Sequence, residues 1–180
     1  MKTFIASGIA AAALVSAASA DVTYSFTSQT WTGFNFNEAY AAGSLTGTLT
    51  GVSVHAMLDA SANYTYADDL CVYMDAAPLS TGGLLQVGGF SNLNATQRYA
   101  WGNGGSSTPG TTVTGTKTLT TGIDMAANPT QSIWIGNGYG YAGTSGTWTG
   151  TITLIGVHVP APGAVALLGL AGLTGRRRRA

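Results

Sequence analysis

Basic residues are almost missing from the interior of this chain. Of its seven, five are Lys2 and the terminal run Arg176, Arg177, Arg178 and Arg179, which leaves only Arg98 and Lys117 between Asp21 and Val159. Against those two stand Asp21, Glu38, Asp59, Asp68, Asp69, Asp75 and Asp124, seven acids for a net of −5. Binding to nucleic acid needs several cationic contacts with phosphates, and two isolated cations cannot supply them. Cysteine is scarcer still. Cys71 stands alone, which rules out an intramolecular disulfide. Within Leu70-Cys71-Val72 it reads as a small buried apolar residue, with pairing to another chain as the alternative. The two histidines, His55 and His158, have no zinc-ligand spacing and give Cys71 no motif for nucleophilic work. No loop follows the Asp-x-Asp-x-Asp pattern of a calcium site. No segment has the three-to-four-residue apolar rhythm of a long amphipathic helix.

Threonine, glycine, serine, asparagine, alanine, tyrosine and tryptophan fill the space left by charge. Hydroxyls and amides then keep the surface wet. Thr, Val, Tyr and Trp favour strands, and Gly and Asn favour the turns between them. About 139 residues between the two ends are enough for one domain with a sizeable core. The expected fold is all-β, a single β-sandwich or jelly roll over residues 21–157.

Strand after strand is legible by alternation. Val22, Tyr24 and Phe26 share one face of the first, and Trp31 to Phe36 continues the theme after a turn. Ser44 to Leu58 is anchored by Leu45, Leu49, Val52 and Val54, with a change of phase at Gly51-Val52 that predicts a bulge or a bend. In Asp68 to Met74, Leu70, Val72 and Met74 face one way, Cys71 and Tyr73 the other. Further strands are expected at Leu84 to Phe90, Gln97 to Trp101, Thr111 to Thr121, Gln131 to Ile135 and Trp148 to Val157, the last with Trp148, Ile152 and Leu154 inward. Asn35 to Ala42 reads as a helical turn. The Gly- and Ser-rich stretch 102–110 reads as the most mobile loop. Two Thr-lined stretches, Leu45 to Val52 and Thr149 to Val157, are expected to lie side by side at a closing edge.

The two ends carry an address. Lys2, the apolar run Ile5 to Val15 and the small-x-small triplet Ala18-Ser19-Ala20 before Asp21 make residues 1–20 a signal peptide cleaved between Ala20 and Asp21. At the other end, residues 158–180 hold the turn Pro160-Ala161-Pro162, an apolar helix from Ala164 to Leu173, and Arg176 to Arg179. Ten apolar residues are half of the roughly 20 that a bilayer span takes. The tail is therefore expected to be a weak or transient transmembrane helix, with the arginines stopping it on the cytoplasmic side and the domain at the cell surface.

This tripartite tail, Val159-Pro160-Ala161-Pro162-Gly163 through Leu167-Leu168-Gly169-Leu170 to Arg176–Arg179, resembles the PEP-CTERM sorting signals processed by exosortases. The usual motif has Pro-Glu-Pro; here Ala161 replaces the glutamate. The resemblance covers about the last 22 residues. It implies passage through a membrane, an exosortase-like processing enzyme and a secreted, surface or matrix product, often in cells that make exopolysaccharide. Leu45 to Leu49, Ala67 to Tyr73 and Gly146 to Leu154 also resemble, loosely, the P-domain-like jelly rolls found beside secreted proteases.

Chemistry is sparse. Asp59, Asp68, Asp69 and Asp75 offer carboxylates for general acid and base work, and equally read as solubilising loop residues. Asp68 and Asp69 are the candidates for calcium, or simply solvated acids; no other cofactor is implied. In Ile133-Trp134-Ile135-Gly136-Asn137-Gly138-Tyr139-Gly140-Tyr141, Tyr139 and Tyr141 fall on one side of an extended chain. With Trp101 and Asn103 they could stack on sugar rings, and equally read as tyrosines that stick to neighbouring proteins or pack inside. The expected function is that of a non-enzymatic exported envelope or matrix protein, displayed or released after tail processing. A secreted carbohydrate-binding module or glycan-active hydrolase is the alternative.

Overall fold

The computed structural model describes residues 21–80 and 82–160. Among the described residues nine strands follow one another: β1 Val22–Thr32, β2 Phe36–Tyr40, β3 Thr46–Ala62, β4 Leu70–Asp75, β5 Leu85–Val87, β6 Gln97–Tyr99, β7 Thr112–Asp124, β8 Ser132–Asn137 and β9 Ser145–His158. A single 3₁₀ turn, Ala67–Asp69, leads into β4. The strands form two sheets, β1-β9-β3-β7 and β2-β8-β4-β5-β6. All pairings are antiparallel except β5 with β6. The result is an all-β sandwich.

Alternation places the core between the sheets. Val52, Val54, Ala56 and Leu58 of β3 and Trp148, Ile152 and Leu154 of β9 are buried against Leu70, Val72 and Met74 of β4 and Ile133 and Ile135 of β8. Burying each such side chain contributes on the order of 1.5–3 kcal/mol. The five-stranded sheet is buried on its second face as well. There Cys71 and Tyr73 join Phe36 and Leu93 in a smaller cluster, because the chain between β5 and β6 folds back over them. Tyr73 donates its hydroxyl toward Asp75 (3.2 Å) and the Leu93 carbonyl (3.1 Å). Burial and the Asp75 charge push the phenol up to about 12.

The outer face of the four-stranded sheet carries hydroxyls instead. Thr23, Thr153, Ser53 and Thr116 stand in one row across β1, β9, β3 and β7. Two neighbouring pairs in the row bond to one another, Thr23 to Thr153 at 2.9 Å and Thr116 to Ser53 at 3.0 Å.

Some expectations hold and others change. Phe36–Tyr40 is a strand, since pairing with β8 and burial of Phe36 outweigh the local helical tendency. The register breaks at Gly51 against both neighbours, where the phase change predicted a bulge. β3 and β9 do pair, yet β9 lies inside its sheet between β1 and β3 and forms no closing edge. The stretch 102–110 is stitched to the 3₁₀ turn by backbone bonds from Ala67 to Ser106 and from Asp68 to Gly104.

Among the described residues no helix is long and apolar enough to cross a membrane. The expected transmembrane helix, and a location fixed by a membrane-anchoring C-terminal helix, are corrected on that finding. Apolar residues are used here in strands that cover one another, and the tail's ten-residue run is itself about half a span. The signal peptide with Ala18 and Ala20, and the tail from Ala161 through Arg176–Arg179, lie outside the described residues; Asp21 and Pro160 are the outermost ones described.

Candidate functional site

Four connections meet at one end of the sandwich: 63–69 between β3 and β4, the start of 88–96 between β5 and β6, the start of 100–111 between β6 and β7, and 138–144 between β8 and β9. The Asp68-Asp69 segment is their hub. Its carbonyls accept the N–H groups of Gly89 (2.9 Å) and Gly138 (2.7 Å), and Ser91 N–H closes on the Gly138 carbonyl (3.0 Å). Gly89 and Gly138 pack back to back, so that a Cβ on Gly138 would stand 2.5 Å from Gly89 Cα and 2.9 Å from Cys71 Cβ. Only glycine lets these two chains approach so closely.

The carboxylate of Asp69 ties the same loops together from the side chain. It is 4 % exposed, and its Oδ2 accepts the Tyr66 N–H at 2.7 Å. The Phe90 N–H also donates to it. Burial pushes this carboxyl up to about 6, with the Asp68 charge adding to the rise and the Tyr66 and Phe90 donors opposing it. Burial likewise raises the Asp68 carboxyl.

With their backbones held, the aromatic side chains project outward. Phe90 is 75 % exposed, although its segment is clamped by Gln86 Nε2 to the carbonyls of Gly88 (3.0 Å) and Ser91 (2.7 Å), and by Arg98 Nη2 to the Phe90 carbonyl (2.8 Å). Tyr139, its N–H held by Asn137 Oδ1 at 3.0 Å, meets the Phe90 ring edge-on with centroids 5.5 Å apart and planes at 76°. Tyr64 is 77 % exposed. It sits at φ 62° after Asn63 at φ 51°, a left-handed pair that costs a bulky residue on the order of 1 kcal/mol. The Ser61 hydroxyl to the Thr65 carbonyl (2.7 Å) and Asn63 Nδ2 to the Gly143 carbonyl (2.7 Å) hold it there. Tyr64, Tyr66, Asp69, Phe90 and Tyr139 line a cleft of about 230 Å³. A second cleft of about 380 Å³ shares Tyr66, Asp69 and Phe90, and runs toward Arg98 and Gly105.

Of the residues singled out by sequence for sugar contact, Tyr139 forms a cleft wall. Tyr141 is 71 % exposed outside both clefts. Trp101 is 3 % exposed, with its indole N–H donating to the Leu70 carbonyl at 2.7 Å, so it forms the floor of the second cleft and presents no open face. Asp68 and Asp69 belong to the clefts as acids. Among the described residues no group of three or more His, Cys, Asp or Glu side chains is placed to hold a metal ion. Asp75 is buried elsewhere, accepting from Ala76 N–H and the Ser80 hydroxyl. Asp59 accepts the Thr149 hydroxyl on β9. Neither joins the cleft acids in lining these clefts.

Tyr64, Tyr66 and Phe90 were missed by sequence reasoning. They come from two connections, and no local spacing relates Phe90 to the tyrosine pair. The available signals were Tyr64-Thr65-Tyr66 just before two adjacent acids, and a phenylalanine directly after Gly88-Gly89. The chain matches no protein-family model, no curated protein and no solved structure.

Proposed function

We propose that this chain is a non-enzymatic exported protein of the cell envelope or extracellular matrix that attaches to surrounding polymer through its aromatic end. One observation carries the reading: Tyr64 and Phe90 expose their rings on loops whose backbones are locked by Asp69, Gln86, Arg98 and Asn63. Exposing large apolar rings costs solubility, and fixing them beforehand reduces the ordering cost of binding. The composition supports export, since a hydroxyl-rich domain with one buried cysteine suits an oxidising medium. The PEP-CTERM-like tail supports processing by an exosortase-like enzyme after the signal peptide is cut before Asp21. The sandwich is then of the jelly-roll kind, released or displayed once the tail is removed, with exopolysaccharide as the polymer.

Two measurements test this. Intact mass of protein recovered from cell surface and medium should show an N-terminus at Asp21 and a C-terminus near Pro160; a chain that keeps both ends overturns the export and processing reading. Purified protein should be retained on polysaccharide from the producing cells, and a Tyr64→Ala/Phe90→Ala variant should lose retention. Equal retention of the variant overturns the assignment of the aromatic end.

The raised Asp69 carboxyl in an aromatic cleft favours one second reading, a glycan-active hydrolase with Asp69 as proton donor. Release of reducing ends by wild type and its loss in Asp69→Asn would establish it.

A further inference from the structure

We infer that the ligand of the aromatic end is a cationic polysaccharide, and that an amino-sugar unit sits in the cleft with its ring against Phe90 and Tyr139 and its ammonium group facing the Asp69 carboxylate. This rests on the reading of that end as the polymer-contact surface, and adds the chemical class of the polymer.

Shape comes first. The Phe90 side chain has no polar atom, so a ligand on its exposed ring is held by its faces, as a pyranose presents them. The Phe90 and Tyr139 rings stand at 76° and make a corner with two apolar walls, and Tyr64 faces the same cleft. Its volume of about 230 Å³ falls below the roughly 300–1,000 Å³ typical of drug-sized ligands and suits a single ring. The adjoining cleft of about 380 Å³ gives the next unit of a chain a place, and Asp69 is on the wall the two share.

Charge selects among sugars. Asp69 lines the first cleft with no cation beside it, and in the second Asp68 and Asp69 outnumber the one cation, Arg98, whose guanidinium also donates to the Phe90 carbonyl. A uronic acid would meet like charge there. A neutral sugar would cover Asp69 further and leave its charge with backbone N–H donors but no opposite charge, which burial makes costly. An ammonium group supplies the counterpart and also gains from the aromatic faces around it. The two cations of residues 21–159 against seven acids extend the same preference outward.

The test uses the full-length protein and β-linked oligomers of one length built from glucosamine, N-acetylglucosamine, glucose or glucosamine bearing a trimethylammonium group, with affinity read by calorimetry. Near pH 6.5 the glucosamine oligomer should bind about tenfold more tightly than its N-acetylated or neutral counterparts. The trimethylammonium oligomer is charged at every pH, so its affinity should fall as pH drops through about 6 and Asp69 takes up its proton. Besides Asp69, the ionisable groups at the clefts are Asp68, Arg98, Tyr64, Tyr66 and Tyr139, with Cys71 behind them. Asp68→Asn should keep the pH dependence, whereas Asp69→Asn should abolish it together with the preference for cations. Phe90→Ala changes an exposed side chain and should weaken every cationic oligomer by about tenfold. Equal affinity for neutral and cationic oligomers, or tighter binding of the N-acetylated one, overturns the ammonium assignment while polymer attachment stands. No binding of any oligomer, with no retention on purified polysaccharide, overturns both.

Discussion

The outer face of the four-stranded sheet and the loop end of the sandwich use polar groups in opposite ways. On the sheet face, hydroxyls bond sideways to one another, as in Thr23 to Thr153 and Thr30 to Thr147 at 2.7 Å. At the loop end, Asp69, Gln86, Arg98 and Asn63 bond to backbone, and the groups left facing water are rings. The sheet face spends its side chains on solubility. The loop end spends its polar side chains on geometry, which lets a few aromatic residues stay exposed in fixed positions.

The strongest way to break the contrast is Gly88→Ala. Gly88 sits at φ 80°, and a Cβ there would run into the Trp101 indole nitrogen and the Leu70 carbonyl. The cleft floor would have to move. Unfolding in urea should show a loss of about 3 kcal/mol, combining backbone strain with overpacking.

Asp69→Asn is next in size and sharpens the contrast through pH. The folded carboxyl titrates at about 6, above its ordinary value of 3.8, so the fold binds that proton more tightly than the unfolded chain does. Its contribution to stability is therefore greatest below the unfolded value, declines as pH rises toward about 6, and is flat above. Melting temperatures from about pH 4 to pH 7.5 should fall along that course relative to Asp69→Asn. Parallel curves for the two proteins would remove the carboxyl from the account.

The smallest effect belongs to the sheet face. Replacing both Thr23 and Thr153 by Val keeps β-branched strand residues and removes a hydroxyl pair that lies in water. Stability should change by no more than about 0.5 kcal/mol, and retention on polysaccharide should not change. A loss of retention would move the contact surface from the loops to the sheet.

The same division explains what could be read in advance. Alternation is local, so Leu70, Val72 and Met74 separated cleanly from Cys71 and Tyr73, and these two sets now lie in different apolar clusters. The bulge at Gly51 and the inward Trp148, Ile152 and Leu154 follow from the same two-residue period. Strand β2 escaped because its five residues owe their conformation to β8, a partner about a hundred positions away. The cleft escaped for a similar reason. Tyr64, Phe90 and Tyr139 meet only after Asp68-Asp69 has gathered their loops, and Trp101, expected to join Tyr139 and Tyr141 in a sugar platform, is buried with its indole N–H on the Leu70 carbonyl.

Strand β1 lies at the margin of its sheet and its one neighbour there is β9. The opening strand must wait for the closing one, since Val22 aligns with Leu154 and Thr32 with Ser145. Such long-range pairing makes folding slow, because the entropy of closing the loop is lost before any contact repays it. A ribosome that has delivered the chain only as far as β8 has therefore delivered two long strands, β1 and β3, with a gap between them. The last fourteen residues of the sheet act as a wedge that completes both neighbours at once.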